Sequence, residues 1–479
     1  MKSRRQRKKI IGMITKAITD TIAAVSTPPG ASGLAVLRLS GPQAAECCDH
    51  LFQPYAITPL RPSEMAGYTT AVGTWAGLDE VVLSCFKAPN SFTGEDVFEI
   101  SCHGGTAVKQ AILDSLISVG ARLAEPGEFS KRAFVNGKMD LSQAEAVMDL
   151  IGAEASRQVQ AAFKQLKGQL SGKIRTRADA LYELMARVEV ILEFPELEET
   201  PPALEQLAAD TASEGDKIRQ LALGYGRGKV VREGLRVAIA GRPNAGKSTL
   251  LNNLVGEDKA IVTPIPGTTR DLVEAHLIVD GYLVLLTDTA GLTMDTADPV
   301  EQEGVRRARL AHAEADLLFW LISPPLPAAE EFEREMAEIR DIVAAGKDLV
   351  LVLGKDDRGE SAAIQDVIGE YLTGVDIVRF SQQADDGAKR IKDKISDHLR
   401  QLERQYDQDT LITHERHRKL LEDAAAELTQ AATEIRSGLT LDLVATRLRQ
   451  AAELLAEMTG DSVDAGLVDT IFSRFCVGK

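Results

Sequence analysis

Apolar positions change their spacing along the chain, and each change predicts a different kind of element. From Asp20 to about Val135 they gather in short runs, Leu34-Ala-Val-Leu-Arg-Leu39, Glu80-Val-Val-Leu-Ser-Cys-Phe86 and Val97-Phe-Glu-Ile-Ser101, punctuated by Pro28-Pro-Gly30 and Pro89-Asn90. Runs of that length bounded by turn residues predict strands, here within an α+β domain. From about Leu141 to Glu193 the period lengthens: Leu166, Leu170, Ile174, Leu181, Leu184, Val188 and Ile191 fall on one helical face with charges between them. Long amphipathic helices follow, interrupted at Pro195 and Pro201-Pro202 and resuming from Leu207 to Leu223.

Between Leu235 and about Leu399 apolar strands alternate with helical stretches: Val237-Ala-Ile-Ala240, Leu283-Val-Leu-Leu286, Leu317-Leu-Phe-Trp-Leu-Ile322, Leu349-Val-Leu-Val-Leu353 and Val375-Asp-Ile-Val378. That alternation predicts a mostly parallel, doubly wound sheet. Beyond it the helical period returns through Leu420, Leu421, Ala424, Leu428, Ala431 and Ile435, then Leu443, Leu448, Leu454 and Leu455. Helices on both sides of one α/β unit predict an α/β module inserted into a helical domain.

With 479 residues the chain has room for roughly three domains. The expected bounds are a basic extension over 1–18, expected to be disordered, an α+β domain over 19–137, a helical domain in two parts (138–233 and 401–479), and the inserted α/β module over 234–400. Apolar residues make up 44% and no run of them reaches membrane-spanning length, so no membrane span is expected. Cys47, Cys48, Cys85, Cys102 and Cys476 are odd in number and lack paired CxxC spacing. A disulfide scaffold and a structural zinc are both disfavoured, and a cytoplasmic location fits. A net charge of −16 argues against an all-over basic nucleic-acid binder. The start alone is basic, with Lys2, Arg4, Arg5, Arg7, Lys8 and Lys9. It reads as a targeting arm or RNA-contacting tail, or as an extension ahead of a start at Met13.

The strongest chemical signal is Gly241-Arg-Pro-Asn-Ala-Gly-Lys-Ser248, set between the run Val237–Ala240 and the helical Thr249-Leu-Leu-Asn-Asn-Leu254. Glycines let backbone N–H groups close around phosphates, and the helix N-terminus adds positive potential. Lys247 can reach the β- and γ-phosphates while Ser248 ligates Mg2+. Asn244, Ala245, Gly246 and Thr249 complete the expected cradle. In Thr263-Pro-Ile-Pro-Gly-Thr-Thr-Arg-Asp271 the stretch Thr263, Pro264, Ile265, Pro266, Gly267, Thr268 and Thr269 reads as a switch segment, in which Thr268 or Thr269 completes the Mg2+ shell. Asp280-Gly281 predicts a hairpin turn into a strand ending at Thr287-Asp-Thr-Ala-Gly291. There Asp288 would hold the metal through water, and Thr289, Ala290 and Gly291 would meet the γ-phosphate. Gly354-Lys355-Asp356-Asp357 stands where a guanine-reading Asn-Lys-x-Asp belongs, so GTP is the expected nucleotide.

Two departures stand out. The residue after Asp-Thr-Ala-Gly, where many switch GTPases carry a water-orienting glutamine, is Leu292, so Glu301 becomes the candidate to activate water, beside Lys247 as the phosphate cation. Gly354 replaces the asparagine and removes side-chain hydrogen bonds, a loss of about 1–3 kcal/mol if nothing compensates.

These motifs, with Asp20-Thr-Ile, Thr27-Pro-Pro-Gly30, Asn90-Ser-Phe-Thr-Gly-Glu-Asp96, His103-Gly-Gly105, Pro126-Gly-Glu-Phe129, Lys138-Met-Asp-Leu-Ser-Gln-Ala-Glu-Ala146 and Phe475-Cys-Val-Gly-Lys479, make the chain resemble the MnmE (TrmE) family of tRNA modification GTPases from about Asp20 to Lys479. The resemblance implies an N-terminal domain that binds a tetrahydrofolate (5,10-methylene or 5-formyl) and dimerises, a helical domain, and an inserted Ras-like GTPase. It implies a homodimer that joins the FAD-dependent MnmG (GidA) protein in a heterotetramer. Together they install an aminomethyl or carboxymethylaminomethyl group at C5 of the wobble uridine, U34, of certain tRNAs. Carried over by motif, the folate contacts are Arg38, Glu99, Lys138 and Lys479, with Arg38 and Lys138 suited to the glutamate carboxylates and Glu99 to the pterin amino edge. The family's hydrolysis uses K+, here at Asn244, Thr263, Ile265 and Thr268, with Thr269 kept for Mg2+ beside Ser248. Thr413-His-Glu-Arg-His417 departs modestly from the family's Asn-Ala-Arg-His. The resemblance sets Cys476 near the folate pocket, where a reactive thiol is one reading and a buried, inert cysteine the one expected from sequence alone; His103, in a Gly-Gly turn that could approach a ligand, is expected to be a core or turn residue. An RNA-associated or ribosome-assembly GTPase without folate chemistry is the alternative, and a membrane-tethered scaffold GTPase using the basic start is a third reading.

Overall fold

The computed structural model describes residues 20–55, 61–194, 201–256, 273–288, 310–383, 386–405, 412–462 and 465–478. The chain divides into two compact units, Met1–Ile151 with Ala162–Gln220 and Arg416–Lys479, and Gly152–Ala161 with Leu221–Glu415. The basic extension lies outside the described residues.

The first unit opens on a sheet of seven strands: β1 (Ile22–Val25), β2 (Leu34–Ser40), β3 (Phe52–Pro54), β4 (Thr69–Trp75), β5 (Asp79–Phe86), β6 (Val97–His103) and β7 (Arg122–Leu123), in the order β3-β4-β5-β6-β2-β1-β7. Every pairing is antiparallel except β1 with β7. Alternation along β2 sends Ala35, Leu37 and Leu39 into a core with Cys47 and Cys48 of α1 (Ala44–Leu51) and Ile112 and Leu116 of α2 (Thr106–Ser118). Arg38 therefore faces the other side. Antiparallel register sets Glu99 of β6 directly opposite it, between the core pairs Leu37↔Ile100 and Leu39↔Phe98.

The same unit continues through α3 (Glu128–Val135) and α4 (Leu141–Ile151) into a helical body. That body contains α6 (Gln169–Glu193), most of α7 (Pro201–Leu223), α13 (Glu415–Arg436), α14 (Leu441–Thr459) and α15 (Ala465–Phe472). Pro201 sits at the first helical position of α7, where a missing N–H costs nothing. The long α6 packs along α14, and Phe134, Leu141, Ala144, Val468, Phe472 and Phe475 form a shared core. His417 is fully buried, its Nε2 2.8 Å from Glu145 Oε2, while Arg416 reaches Glu145 Oε1 at 3.1 Å. The motif pieces Lys138–Ala146 and Thr413–His417 thus meet in one ionic clamp between α4 and α13.

The second unit is a six-stranded sheet in the order β13-β12-β11-β8-β10-β9. Its strands are β8 (Leu235–Gly241), β9 (Val273–Val279), β10 (Tyr282–Asp288), β11 (Leu317–Ile322), β12 (Asp348–Leu353) and β13 (Asp376–Arg379), and only β9 runs antiparallel. Every residue of β11 is buried because both faces are covered. Leu317, Phe319 and Leu321 pack with α9 (Lys247–Gly256) and α12 (Gly387–Gln405). Leu318, Trp320 and Ile322 pack with α10 (Ala329–Ala344) and α11 (Ser361–Tyr371). Asp280 and Gly281, at φ 51° and 80°, make the two-residue hairpin between β9 and β10 that their sequence predicts.

Helical periodicity across Leu141–Glu193 reads as long helices, but the structure breaks it into α4, α5 (Ser156–Leu166) and α6. The residues between α4 and α5 serve a purpose that periodicity does not show. Gly152–Ala161 belongs to the second unit, where Arg157 N–H donates to Gly281 O at 3.0 Å and Glu154 meets His276 Nδ1 at 2.9 Å. Gln158 donates to Arg232 O, at the end of α8 (Tyr225–Glu233), at 2.9 Å.

Candidate nucleotide site

The parallel strands β8, β10 and β12 end at the same edge of the sheet, where ligands of doubly wound folds bind. The loop after β8 runs from Gly241 to the first turn of α9. Gly241 has φ 131°, and a side chain there would overlap the Leu321 carbonyl, so only glycine lets the loop leave β8 at that angle. Asn244 adopts φ 61°, a left-handed turn that aims successive N–H groups inward.

Lys247 is buried, and its Nζ donates to Gly241 O at 2.7 Å and Arg242 O at 2.8 Å. Burial holds its pKa below the ordinary lysine value, partly offset by the charges of Asp288 and Glu335. Ser248 Oγ donates to Asp288 Oδ2 at 2.8 Å, so two of the three residues expected around Mg2+ are in contact. The second carboxylate oxygen of Asp288 is buried and has no hydrogen-bond partner among the described residues. A hydroxyl and a carboxylate with an open lone pair suit a hard, oxygen-seeking cation completed by phosphates and water.

At the other end of the edge, Lys355 has φ 59° and donates to Pro324 O at 3.2 Å. Asp357 Oδ1 accepts from Ser381 Oγ at 2.6 Å, and Asp356 N–H donates to Phe380 O at 3.2 Å. Ser381, just after β13, steadies the carboxylate that would read guanine. Sequence reasoning missed it because a lone serine after a short strand carries no signal of its own.

Two more supports were not legible in the motif. Arg242 Nε lies 3.2 Å from Glu335 Oε2 of α10, whose Oε1 accepts from Trp320 Nε1 at 2.9 Å. Burial pushes the Glu335 carboxyl up, with Trp320 and Arg242 pulling against it. Ser323, 4% exposed, donates to Ala245 O at 2.7 Å and so ties the end of β11 to the phosphate loop. Thr263, Pro264, Ile265, Pro266, Gly267, Thr268, Thr269, Thr289, Ala290, Gly291, Leu292, Glu301 and Lys479 lie outside the described residues.

The second candidate site lies on the first unit. Arg38 donates from Nε at 3.0 Å and Nη2 at 2.7 Å to Glu99 Oε1. Its guanidinium stands 4.9 Å over the Phe92 ring and 5.6 Å over Phe129, and its Nη1 is buried with no hydrogen-bond partner among the described residues. Sequence reasoning assigns Arg38 and Glu99 to the two ends of a folate, and in the structure the two side chains are joined in one ion pair. Lys138 Nζ donates to Pro89 O at 2.8 Å, in the loop that carries Phe92, and lines a cavity of about 570 Å³ with Asp140, Arg175 and Tyr182. The C-terminal segment is tied to the same unit: Ser26 Oγ donates to Gly478 O at 3.1 Å, and Gly127 N–H to Cys476 O at 3.3 Å.

One expectation fails here. Cys476 is exposed, whereas Cys47, Cys48, Cys85 and Cys102 are buried. The tail anchors through Phe475, which packs on Phe472 at a ring distance of 5.0 Å, and so turns the neighbouring thiol outward. Of the two readings of His103, core or turn, the structure excludes the core: it ends β6 just before Gly104-Gly105, with its ring largely exposed and paired to Asp79 at 2.7 Å.

Comparison with known proteins agrees with this picture. The MnmE helical domain matches residues 141–476, and the GTP-binding protein TrmE N-terminus matches residues 21–138. The tRNA modification GTPase MnmE of Geobacillus thermodenitrificans is 41% identical over 468 residues, 96% of this chain and 99% of the relative. The proteins of the same name from Acetivibrio thermocellus and Bacillus subtilis are each 39% identical, over 96% of this chain and 99% and 100% of their own lengths. With both domain models matched and relatives of this identity aligned nearly end to end, the chain belongs to the MnmE (TrmE) family of tRNA modification GTPases.

Proposed function

We propose that the chain hydrolyses GTP at the Gly241–Ser248 loop and couples that cycle to modification of U34 in certain tRNAs. The observation that carries the nucleotide reading is the Ser248–Asp288 contact at the edge where β8, β10 and β12 end. It joins the phosphate loop to the strand that leads into the second switch.

In the working site, backbone N–H groups from Asn244 to Thr249 and the N-terminus of α9 bind the phosphates. Lys247 exchanges its loop carbonyls for phosphate oxygens. Asp357, oriented by Ser381, accepts from guanine N1 and N2, and Lys355 and Asp356 shape the turn that presents it. Ser248, Asp288 and Thr269 are the residues suited to hold Mg2+, which when bound neutralises charge on the phosphates. Asn244, Thr263, Ile265 and Thr268 are assigned to K+, Glu301 to orienting the attacking water, and Thr289 to Gly291 to the γ-phosphate.

The finer chemistry rests on family membership. The chain acts as a cytoplasmic homodimer with an FAD-dependent MnmG partner, and a bound tetrahydrofolate supplies the one-carbon unit. Arg38, with one guanidinium nitrogen unpaired among the described residues and two aromatic rings beneath it, Glu99, Lys138 and Lys479 are the residues suited to that folate. Mass spectrometry of tRNA from a strain lacking this chain should show loss of the C5 substituent at U34. Intact modification, with no second copy of the protein present, overturns the reading.

A further inference from the structure

Gly354 occupies the position where a side-chain carboxamide tethers the base-reading segment of many GTPases to the phosphate loop. A β-carbon built on it would overlap Ser323 Oγ. That hydroxyl is buried and donates to Ala245 O, a carbonyl of the phosphate loop. The same carbonyl lies 3.6 Å from the position of the missing β-carbon, within reach of an asparagine side chain at 354. One space at the carboxyl edge is therefore filled from β11 instead of from the segment after β12. Gly354 N–H meanwhile donates to Ile322 O at 2.9 Å and holds the two strand ends side by side.

We infer that Ser323 and Gly354 form an exchanged tether: Ser323 is the positioning residue that fixes the phosphate loop against the guanine-reading segment, and glycine at 354 is the condition for its hydroxyl to fit. Ser323 touches no substrate; it acts through Ala245. The inference rests on the GTP reading above and deepens it. It also removes the penalty that the glycine implies when the motif is read alone.

The pair predicts non-additivity. Ser323→Ala deletes the tether and should weaken binding of a fluorescent GDP about five- to tenfold, the range of one buried hydrogen bond. Gly354→Asn alone brings its β-carbon onto the Ser323 hydroxyl and should bind at least as poorly. In the double variant the hydroxyl is gone and the nearest remaining atoms to the new β-carbon are Leu321 Cδ1 at 3.3 Å and Ala245 O at 3.6 Å. Asparagine then restores the tether from the other side, and affinity should return to within about twofold of the unsubstituted chain. A merely structural role for Ser323 would leave the double variant no better than Ser323→Ala. That result, or Ser323→Ala binding like the unsubstituted chain, overturns the tether and leaves the GTP reading intact. If the unsubstituted chain binds no guanine nucleotide, the GTP reading falls and the tether with it. Should Gly354→Asn fail to fold, Ser323→Ala against the double variant still decides.

Discussion

Arg132 shows how much one side chain can organise. It is fully buried on α3 and meets Asp20 at 2.7 Å, Glu128 at 2.9 Å and Glu95 at 3.3 Å, with Arg122 sharing Asp20 and Glu128. Glu95 in turn accepts from Ser40 at 2.6 Å, so motif pieces scattered between Asp20 and Phe129 converge on one guanidinium. Burial raises the carboxyls of Asp20 and Glu128, but hydrogen bonds from Arg122 and Arg132 outweigh it and hold both below their ordinary values of 3.8 and 4.5. Depressed carboxylates add stability that is present above those values and is lost as pH falls through the lower native ones. Arg132→Met should destabilise the chain by about 3–5 kcal/mol near neutral pH, as carboxylates built around a buried cation lose it. Urea unfolding from about pH 6 to about pH 2 should show that gap narrowing as the carboxylates protonate; a gap independent of pH would refute the electrostatic account. The sequence signals these residues as motif members without showing that they face each other, because their pairing depends on strand register.

At the scale of elements, legibility followed burial. Strands β2, β5 and β6 alternate or run apolar and were readable, and all five parallel strands of the second unit were located. β1 was not: its four residues Ile-Ala-Ala-Val are short and show no alternation, their burial running unbroken over the first three. β4, with Thr69, Thr70 and Thr74 among small residues, carries too little apolar signal. The hairpin at Asp280-Gly281 was legible, but its second role was not. A β-carbon on Gly281 would stand 2.5 Å from Ser156 Oγ, and the glycine sits at φ 80°. Gly281→Ala should therefore cost about 1–2 kcal/mol and loosen Gly152–Ala161 from the hairpin. Hydrogen exchange should speed up at Arg157, whose N–H bonds Gly281 O. Unchanged protection there would show that the segment is held by other contacts.

For the whole molecule, helices flanking an α/β pattern were enough to read an insertion, and the phosphate loop was enough to read its ligand class. The two tethers of the nucleotide site were beyond reach of the sequence, since Ser323 and Ser381 follow different strands and meet their partners only once the parallel sheet forms. The potassium assignment belongs to this scale, because its readout is the hydrolysis rate of the whole chain. Hydrolysis should run faster in potassium than in sodium at equal ionic strength, and Asn244→Ala should abolish the difference. Equal rates in both salts would remove the ion from the scheme.

Ser26 and the Gly478 carbonyl are 452 residues apart in sequence. On a ribosome emitting the chain from its N-terminus, the far end of β1 therefore stays uncovered until nearly all the intervening protein has been made. The first domain to emerge is among the last to be finished, and a chain broken off anywhere before its final segment leaves Ser26 and the Gly127 N–H bare.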